Sequence, residues 1–307
     1  MVPVLFIISI AVFSIIHFIP GNPAQIIAGP NATPEQLAAL ETRLGLDQPV
    51  WMQYLIWLRN VFTGDLGVSY INKFPVREII SQRIPATVEL AVASLIIGVI
   101  IALPLGIFAA LRPGSILDLA VTTFSALTFA IPGFFLLVLL ILLFSQELRL
   151  LPPSGRPDLW EEPVLFLKSI ILPAFTLGIG VATNLARYLR SSLLEVLDQD
   201  YVRTARAKGL QARLVLIRHA LPNALIPVVT ILGLQLGDLL SGAIIIESIY
   251  AWPGVGRLTI QAIEWRDYSL LQANVLFIVI VFLFVNLVTD LTYGWLDPRI
   301  RYDKSQV

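Results

Sequence analysis

Leu197–Asn223, LDQDYVRTARAKGLQARLVLIRHALPN, is a cationic stretch set between two apolar runs. It holds Arg203, Arg206, Lys208, Arg213 and Arg218, in a chain of 307 residues with only 21 Lys plus Arg. Lys and Arg near the inner surface of a membrane retain a loop on that side, so such a connector reads as a cytoplasmic loop of a membrane protein. The stretch is also periodic. Leu197, Val202, Ala205 and Leu210 can share one side of a helix while Arg203, Arg206, Lys208 and Arg213 lie off it, which predicts a short helix over 197–210 lying across the membrane face. Gly209 ends or bends it. A helix of this kind either keeps its charges wet or docks something in the cytoplasm.

Composition agrees with a membrane setting. Hydrophobic residues make up 57% and charged residues 14%, mean hydropathy is +0.81, and a soluble domain would be nearer a quarter charged. The formal net charge of zero gives no electrostatic footprint for a nucleic acid. No cysteine is present, which excludes disulfides and Cys-ligated metal, haem or iron–sulfur sites built within this chain. The two histidines, His17 and His219, are too few and too scattered for a metal site of their own.

Six stretches are predicted to cross the bilayer: Val2–Ile19, Ala86–Leu111, Leu119–Phe144, Leu165–Arg187, Leu216–Ile246 and Leu270–Leu291. The first has neither a basic leader nor a small-residue cleavage pattern and reads as a retained helix. An even number of spans puts both termini on one side. Residues 110–117, 187–218 and 292–307 hold 11 basic residues in 56 positions, against 10 in the 111 positions of 20–84, 145–168 and 247–268. That difference assigns both termini and the 187–218 loop to the cytoplasm. The expected organisation is a first transmembrane helix at 1–19, an extracytoplasmic loop at 20–84, a five-helix core at 85–291 and a tail at 292–307.

The 20–84 loop carries its own helix signals. Thr33-Pro34-Glu35-Gln36 supplies an N-cap, a proline at the first helical position and a capping-box Gln, opening a helix to about Leu44. Gly45-Leu46-Asp47-Gln48-Pro49 breaks it. Trp51, Tyr54, Leu55 and Leu58 then recur at helical spacing as an interfacial helix, which touches an external partner or simply lids the bundle.

Within the spans, Pro104, Pro132, Pro173 and Pro227 each remove a backbone donor and are expected to kink their helices around a pathway or within ordinary packing. Gln235 and Asp238 lie well inside the fifth span. A carboxylate there must meet protein or water, so Asp238 either lines a polar route or bonds across helices or subunits. Glu89 and Asp118 lie closer to span ends and need less explanation, and Asp290 begins the exit of the last helix, where interface hydration suffices. Neither a nucleophile–base pair nor a GxxxxGK[ST] loop is present, so the chain is not expected to hydrolyse ATP.

The opening stretch resembles the EAA loop of ABC-importer permeases: Glu-Ala-Ala, three spacers, Gly, nine spacers, Ile, one spacer, Leu-Pro. With Gly209 as the motif glycine, Ala205 takes the third position and Leu221-Pro222 the terminal pair; Arg203-Thr204 replace Glu-Ala, and His219 replaces Ile. TARAKGL followed by RHALPNA is similar to the dipeptide, oligopeptide and nickel branch. So are Pro20-Gly21-Asn22-Pro23, Gly64-Asp65-Leu66-Gly67, the set Glu247, Pro253, Gly254, Gly256, Arg266, Asp267 and Tyr268, and Asn286, Asp290, Tyr293 and Asp297-Pro298-Arg299-Ile300.

That resemblance implies an all-α integral membrane protein with the type I importer permease fold, in a prokaryotic inner membrane, its first span peripheral to the other five. It implies pairing with a homologous permease, two ABC ATPase subunits that bind ATP and Mg, and an extracytoplasmic binding protein delivering peptides, nickel chelates or glutathione. The chain itself binds no cofactor in this reading. Coupling to the ATPases falls to Tyr201, Val202, Arg203, Thr204, Ala205, Arg206, Ala207, Lys208, Gly209, Leu221 and Pro222. Pathway or gate candidates are Gln235, Asp238, Glu247, Pro253, Gly254 and Gly256, with 247–268 folding back at the outer mouth. A secondary transporter would also have kinked spans and a buried carboxylate, but no inverted repeat is visible and it would need no docking helix. A bilayer-embedded hydrolase would need a catalytic partner for Asp238.

Overall fold

A computed structural model describes residues 2–18, 23–29 and 32–296. Most of the Pro20-Gly21-Asn22-Pro23 pattern, Asp297–Ile300 and the end of the tail lie outside the described residues, which form thirteen α-helices and two π-helical turns. The helices are α1 (Val2–Phe18), α2 (Pro23–Ala28), α3 (Pro34–Leu44), α4 (Val50–Thr63), α5 (Val76–Leu111), α6 (Ile116–Ala130), α7 (Gly133–Ile141), α8 (Pro163–Leu197), α9 (Asp200–Ala207), α10 (Ala212–Val215), α11 (Leu221–Ile249), α12 (Val255–Glu264) and α13 (Tyr268–Leu296). The π turns, Leu142–Glu147 and Leu216–Ala220, follow α7 and precede α11. Two compact units result: Met1–Thr87 with Pro253–Leu283, and Val88–Trp252 with Phe284–Val307.

The first unit is pinned by local caps and a few long-range bonds. Thr33 caps α3 as its sequence predicts, its hydroxyl accepting from Gln36 N at 3.3 Å while Gln36 Oε1 accepts from Thr33 N at 3.1 Å. Gly45 ends that helix at φ 69°, a left-handed conformation that an L side chain resists. On α4, Tyr54 shares a 2.8 Å hydrogen bond with Ser9 of α1, and its ring lies 5.4 Å from that of Phe13. Gln272 on α13 donates to the Phe13 carbonyl at 3.1 Å. Asp267 is fully buried, accepts from Leu270 N at 3.2 Å and accepts a hydrogen bond from the Ser69 hydroxyl 198 residues away. Val76, Ile80, Leu258, Ala262, Leu270 and Leu271 close the small core around these bonds.

Helix α8 runs through the middle of the second unit, touching α6, α7 and α11. Its buried Val181, Leu185, Ala186, Leu189 and Leu193 meet Ala102 and Ala109 of α5, Val121 of α6, Ala220 of the second π turn and Ala224 and Val228 of α11. Helix α5 approaches α8 closely because small residues face each other. A Cβ at Gly178 would stand 2.7 Å from the Ser94 carbonyl, and one at Gly106 would stand 2.9 Å from that of Ala186. In lipid such backbone proximity is the main source of helix association, since hydrocarbon tails compete with any larger apolar side chain. On α5, Val88, Val92, Ile96 and Ile100 are 48–65% exposed. Spaced four apart, they form a continuous apolar stripe that suits hydrocarbon rather than water.

The count of spans is coarser than six. Four helical stretches are long and apolar enough to cross a membrane: 76–111, 163–197, 212–239 and 268–292. The expected span Leu119–Phe144 is instead a pair, α6 and α7, bent by 100°, which makes a fifth only if counted as one crossing. Ile131 precedes Pro132 and is driven to φ −98°, ψ 118°, which breaks the helical ladder there. Pro104, Pro173 and Pro227 leave α5, α8 and α11 continuous. Helix α1, with 17 residues, reaches about 25 Å, short of a hydrocarbon core of about 30 Å.

Candidate functional site

The cationic loop folds on its own apolar side. Predicted as one helix over 197–210, it divides: α8 ends at Leu197, Asp198 and Gln199 turn the chain, and α9 runs from Asp200 to Ala207. The predicted stripe is nonetheless brought together, with Val202 fully buried, Ala205 at 7% exposure, and Leu197 and Leu210 packed beside them. Val196 and Val215 complete the cluster. Eight residues of helix are unstable alone, so this contact with α8 and α10 is what keeps α9 formed. Gly209 has φ 80° and open space around its Cβ position, so its requirement is conformational rather than steric.

The outward face of α9 is polar. Tyr201, Arg203, Thr204, Arg206, Ala207 and Lys208 are exposed. Arg203 reaches back to Asp198 at 2.6 Å, an exposed pair of small energetic weight. Of the eleven residues assigned to coupling, Val202 and Ala205 are therefore supports beneath the surface, and the rest of α9 supplies the surface itself. Leu221 and Pro222 begin α11, Pro222 exposed and Leu221 half-buried. Between loop and helix stands Asn223, whose amide donates to the Tyr201 hydroxyl at 3.0 Å and to the His219 carbonyl at 2.9 Å. Leu221 N bonds to the Leu216 carbonyl five residues back, the signature of the π turn. Ser192 on α8 donates to the Ala224 carbonyl at 3.0 Å, so α8, α9 and α11 are tied within one unit.

Helix α11 also presents a face that the described residues leave largely uncovered. Leu234, Asp238, Ser241, Gly242 and Ile245 are exposed, while Gln235 and Leu239 point inward and are buried. Among the described residues no hydrogen bond or ion pair reaches Asp238, which removes a bond to another helix of this chain from the two expected roles. A carboxylate in a membrane span facing hydrocarbon is costly, so this face needs water or another polypeptide. Glu247, one of the pathway candidates, is wholly buried in the last turn of α11, and its carbonyl accepts from Trp252 N at 2.8 Å. The Tyr250 hydroxyl donates to the Pro152 carbonyl at 2.8 Å, and Trp252 packs against Phe166 with ring centroids 6.0 Å apart. Gly254 opens α12 in extended conformation, Val255 N donates to the Thr87 hydroxyl at 2.8 Å, and Gly256 is buried in the first turn of α12. Pro253, half-buried, precedes that cap.

Two ion pairs escaped the sequence reading. Asp118, at the start of α6, pairs in bidentate fashion with Arg190 on α8, with Nη2 to Oδ2 at 2.8 Å, and also accepts from Gly114 N at 2.9 Å. Glu89 pairs with Arg156, both bonds at 2.7 Å, fixing the 150s loop to α5. The partners stand 72 and 67 residues apart in sequence, so no local pattern announces either pair. Asn223 had a weaker signal, being the residue directly after the Leu221-Pro222 pair.

Residues 102–302 match the family model described as binding-protein-dependent transport system inner membrane component. Residues 1–91 match its N-terminal companion model. The chain is 41% identical to the dipeptide transport system permease protein DppB of Alkalihalophilus pseudofirmus, over 98% of this chain and 97% of that one. It is also 41% identical to the glutathione transport system permease protein GsiC of Escherichia coli K12, over 98% and 96%. Among solved structures, the MetNI methionine ABC transporter in an inward-facing form superposes with TM-score 0.58 at 21% identity, covering 71% of this chain and 96% of that chain. An amino acid ABC transporter crystallised with histidines gives 0.52 at 16%, covering 73% and 94%. At those identities the likeness is one of fold: an all-α, multi-pass importer permease.

Proposed function

The chain belongs to the family of binding-protein-dependent transport system inner membrane components, and from that premise we propose that it is the permease subunit of an importer for short peptides. It is a multi-pass inner-membrane protein and a non-catalytic member of an ABC system; its ATPase partners carry ATP and Mg. The observation that carries the peptide reading is the end-to-end match, at 41% identity, to a dipeptide permease. A glutathione permease matches equally well, and glutathione is itself a tripeptide, so it stands as the second reading.

In this proposal the exposed face of α9, from Tyr201 to Lys208, seats an ATPase subunit. Asn223 and the packing of α8 against α11 pass the ATPase motion to the spans. A homologous permease covers the α11 face, and Asp238 either lines the route between the two subunits or bonds across them. The binding protein delivers solute at the side of α12 and the 20–84 loop, where 247–268 folds back and Glu247, Pro253, Gly254 and Gly256 shape the mouth. ATPase closure and hydrolysis then alternate access, a two-state coupling between distant sites. We count six crossings, with α1 and the bent α6–α7 pair each taken as one, and both termini in the cytoplasm. The 1–19, 20–84, 85–291 and 292–307 divisions follow that topology.

The deciding experiment is uptake of a labelled dipeptide and of labelled glutathione in cells lacking this chain, with and without its restoration. Restored dipeptide uptake is expected. Restoration of glutathione alone would select the second reading, and restoration of neither would end both. Asp238→Asn should leave assembly intact and change uptake, whereas unaltered uptake would remove Asp238 from the route.

A further inference from the structure

Within the first unit lies a cavity of about 440 Å3 that the transport cycle described above does not use. Its size is in the range that holds a drug-sized molecule. Phe13 and Trp57, with ring centroids 5.8 Å apart, and the ring of Tyr70 form an aromatic wall. Asp65 is the one formally charged residue among those lining it. One Asp65 carboxylate oxygen accepts from Gly67 N at 2.9 Å, and the residue is exposed.

The cavity is built rather than left over. The Ser69–Asp267 bond and the Ser269 hydroxyl, which donates to the Leu66 carbonyl at 3.3 Å, fasten the 64–70 turn to the start of α13. Gly67 sits where a Cβ would come within 2.7 Å of Ser269 Oγ, at φ 79°, so the turn depends on glycine there twice over. The Tyr70 phenol finds no hydrogen-bond partner among the described residues. Burial, with the Asp267 charge adding to it, pushes its pKa up to about 12. The half-buried phenol, protonated and so a donor at neutral pH, borders a space shared with one carboxylate and two further rings.

We propose that this cavity binds a compact molecule bearing a primary ammonium group, of about dipeptide size. The ammonium sits between the Asp65 carboxylate and the aromatic wall, where ring faces attract a cation, and the Tyr70 hydroxyl donates to a carbonyl or carboxylate of the same molecule. A free peptide amino terminus and a phosphatidylethanolamine headgroup share this chemistry. The choice of a dipeptide as probe rests on the peptide reading above.

The test uses the full-length chain in phosphatidylglycerol nanodiscs, titrated calorimetrically with alanyl-alanine and with N-acetyl-alanyl-alanine. Saturable binding of the free dipeptide is expected, about threefold to tenfold weaker after acetylation or in Asp65→Asn, and unchanged in Glu161→Gln, an exposed site in the other unit. A second set of nanodiscs contains phosphatidylethanolamine. Loss of the dipeptide signal in them, together with enrichment of that lipid on the purified wild type but not on Asp65→Asn, identifies the headgroup as the occupant; an unchanged signal identifies the peptide. Absence of both dipeptide binding and lipid enrichment overturns the site, as does binding indifferent to acetylation and to Asp65→Asn. Cellular uptake is scored separately, so a failed titration beside normal dipeptide uptake refutes this site and leaves the importer reading standing.

Discussion

Replacing Ala205 by Glu sets a carboxylate into a cluster made by Val196, Leu197, Val202, Leu210 and Val215, at a position 7% exposed. No cation belongs to that cluster, and an isolated charge in an apolar site costs several kcal/mol. Remaining neutral is no escape, since holding a Glu with an ordinary pKa of about 4.3 protonated at pH 7 costs about 4 kcal/mol. The third option is cheaper: α9, too short to stand alone, detaches. Ala205→Glu is therefore expected to raise amide hydrogen exchange across 200–210 in the permease with no ATPase present. Ala207→Glu is the counterpart. Ala207 is exposed on the same helix, so that variant should keep the wild-type exchange pattern yet lose ATPase subunits on co-purification. Exchange in Ala205→Glu as slow as in the wild type would refute the packing of α9 on its own chain. Retention of both ATPases by Ala207→Glu with normal stimulated hydrolysis would refute the docking face.

Gly233 lies where a Cβ would overlap Thr289 of α13; Gly233→Ala should cost about 1–3 kcal/mol and Thr289→Gly should recover part of it, whereas Gly209→Ala meets no atom and should cost only about 1 kcal/mol of backbone strain, all read by thermal unfolding in detergent. For topology, single cysteines at Asn60 and Gln199 of this cysteine-free chain should label differently with an impermeant thiol reagent outside intact cells: position 60 reacts and position 199 does not, and the reverse pattern overturns the orientation. Burial also pushes the Tyr250 phenol up to about 12, as it does that of Tyr70. The folded state keeps these protons between about pH 10 and 12 while an unfolded chain gives them up, so their contribution is whole below pH 10 and is lost as pH climbs toward 12. Tyrosinate absorbance at pH 11 should be the same in the wild type and in a Tyr70→Phe, Tyr250→Phe double variant, and a clearly higher wild-type absorbance would contradict this.

What could be read from sequence was short-range. The capping box at Thr33, the helix end at Gly45, the helix α4 and the break at Pro132 each depend on neighbours within four residues. The stripe Leu197, Val202, Ala205, Leu210 correctly gathered one face, but its helix was drawn too long because periodicity does not see the turn at Asp198-Gln199. Hydropathy measures the bilayer rather than the helix. It began the second span at Ala86, although α5 starts at Val76, where Arg77, Glu78 and Arg83 continue the helix beyond apolar sequence. Hydropathy likewise runs unbroken across α6 and α7, which the chain bends apart by 100°. Bonds such as Ser69–Asp267, Asp118–Arg190 and Glu89–Arg156 exist only once the chain has folded back, and they fix the 64–70 turn, the start of α6 and the 150s loop. That Ala205 packs on its own chain was hidden for a related reason: a small residue on an amphipathic helix gives no sign of whose surface it fits.

The π turn at Leu216–Ala220 holds one more residue than an α-helical turn would need there. Removing a residue from this turn lets the backbone relax into ordinary α-helical register, and every residue from Leu221 onward keeps its angular position, with the Asp238 face still pointing where it did. Removing one from α8 instead rotates everything after it by about 100° and turns the buried row Leu185, Leu189 and Leu193 out of its core. Length variation among descendants of this chain should therefore collect in the short segment before α11, a place where the gene can gain or lose a codon without rewriting the helices on either side.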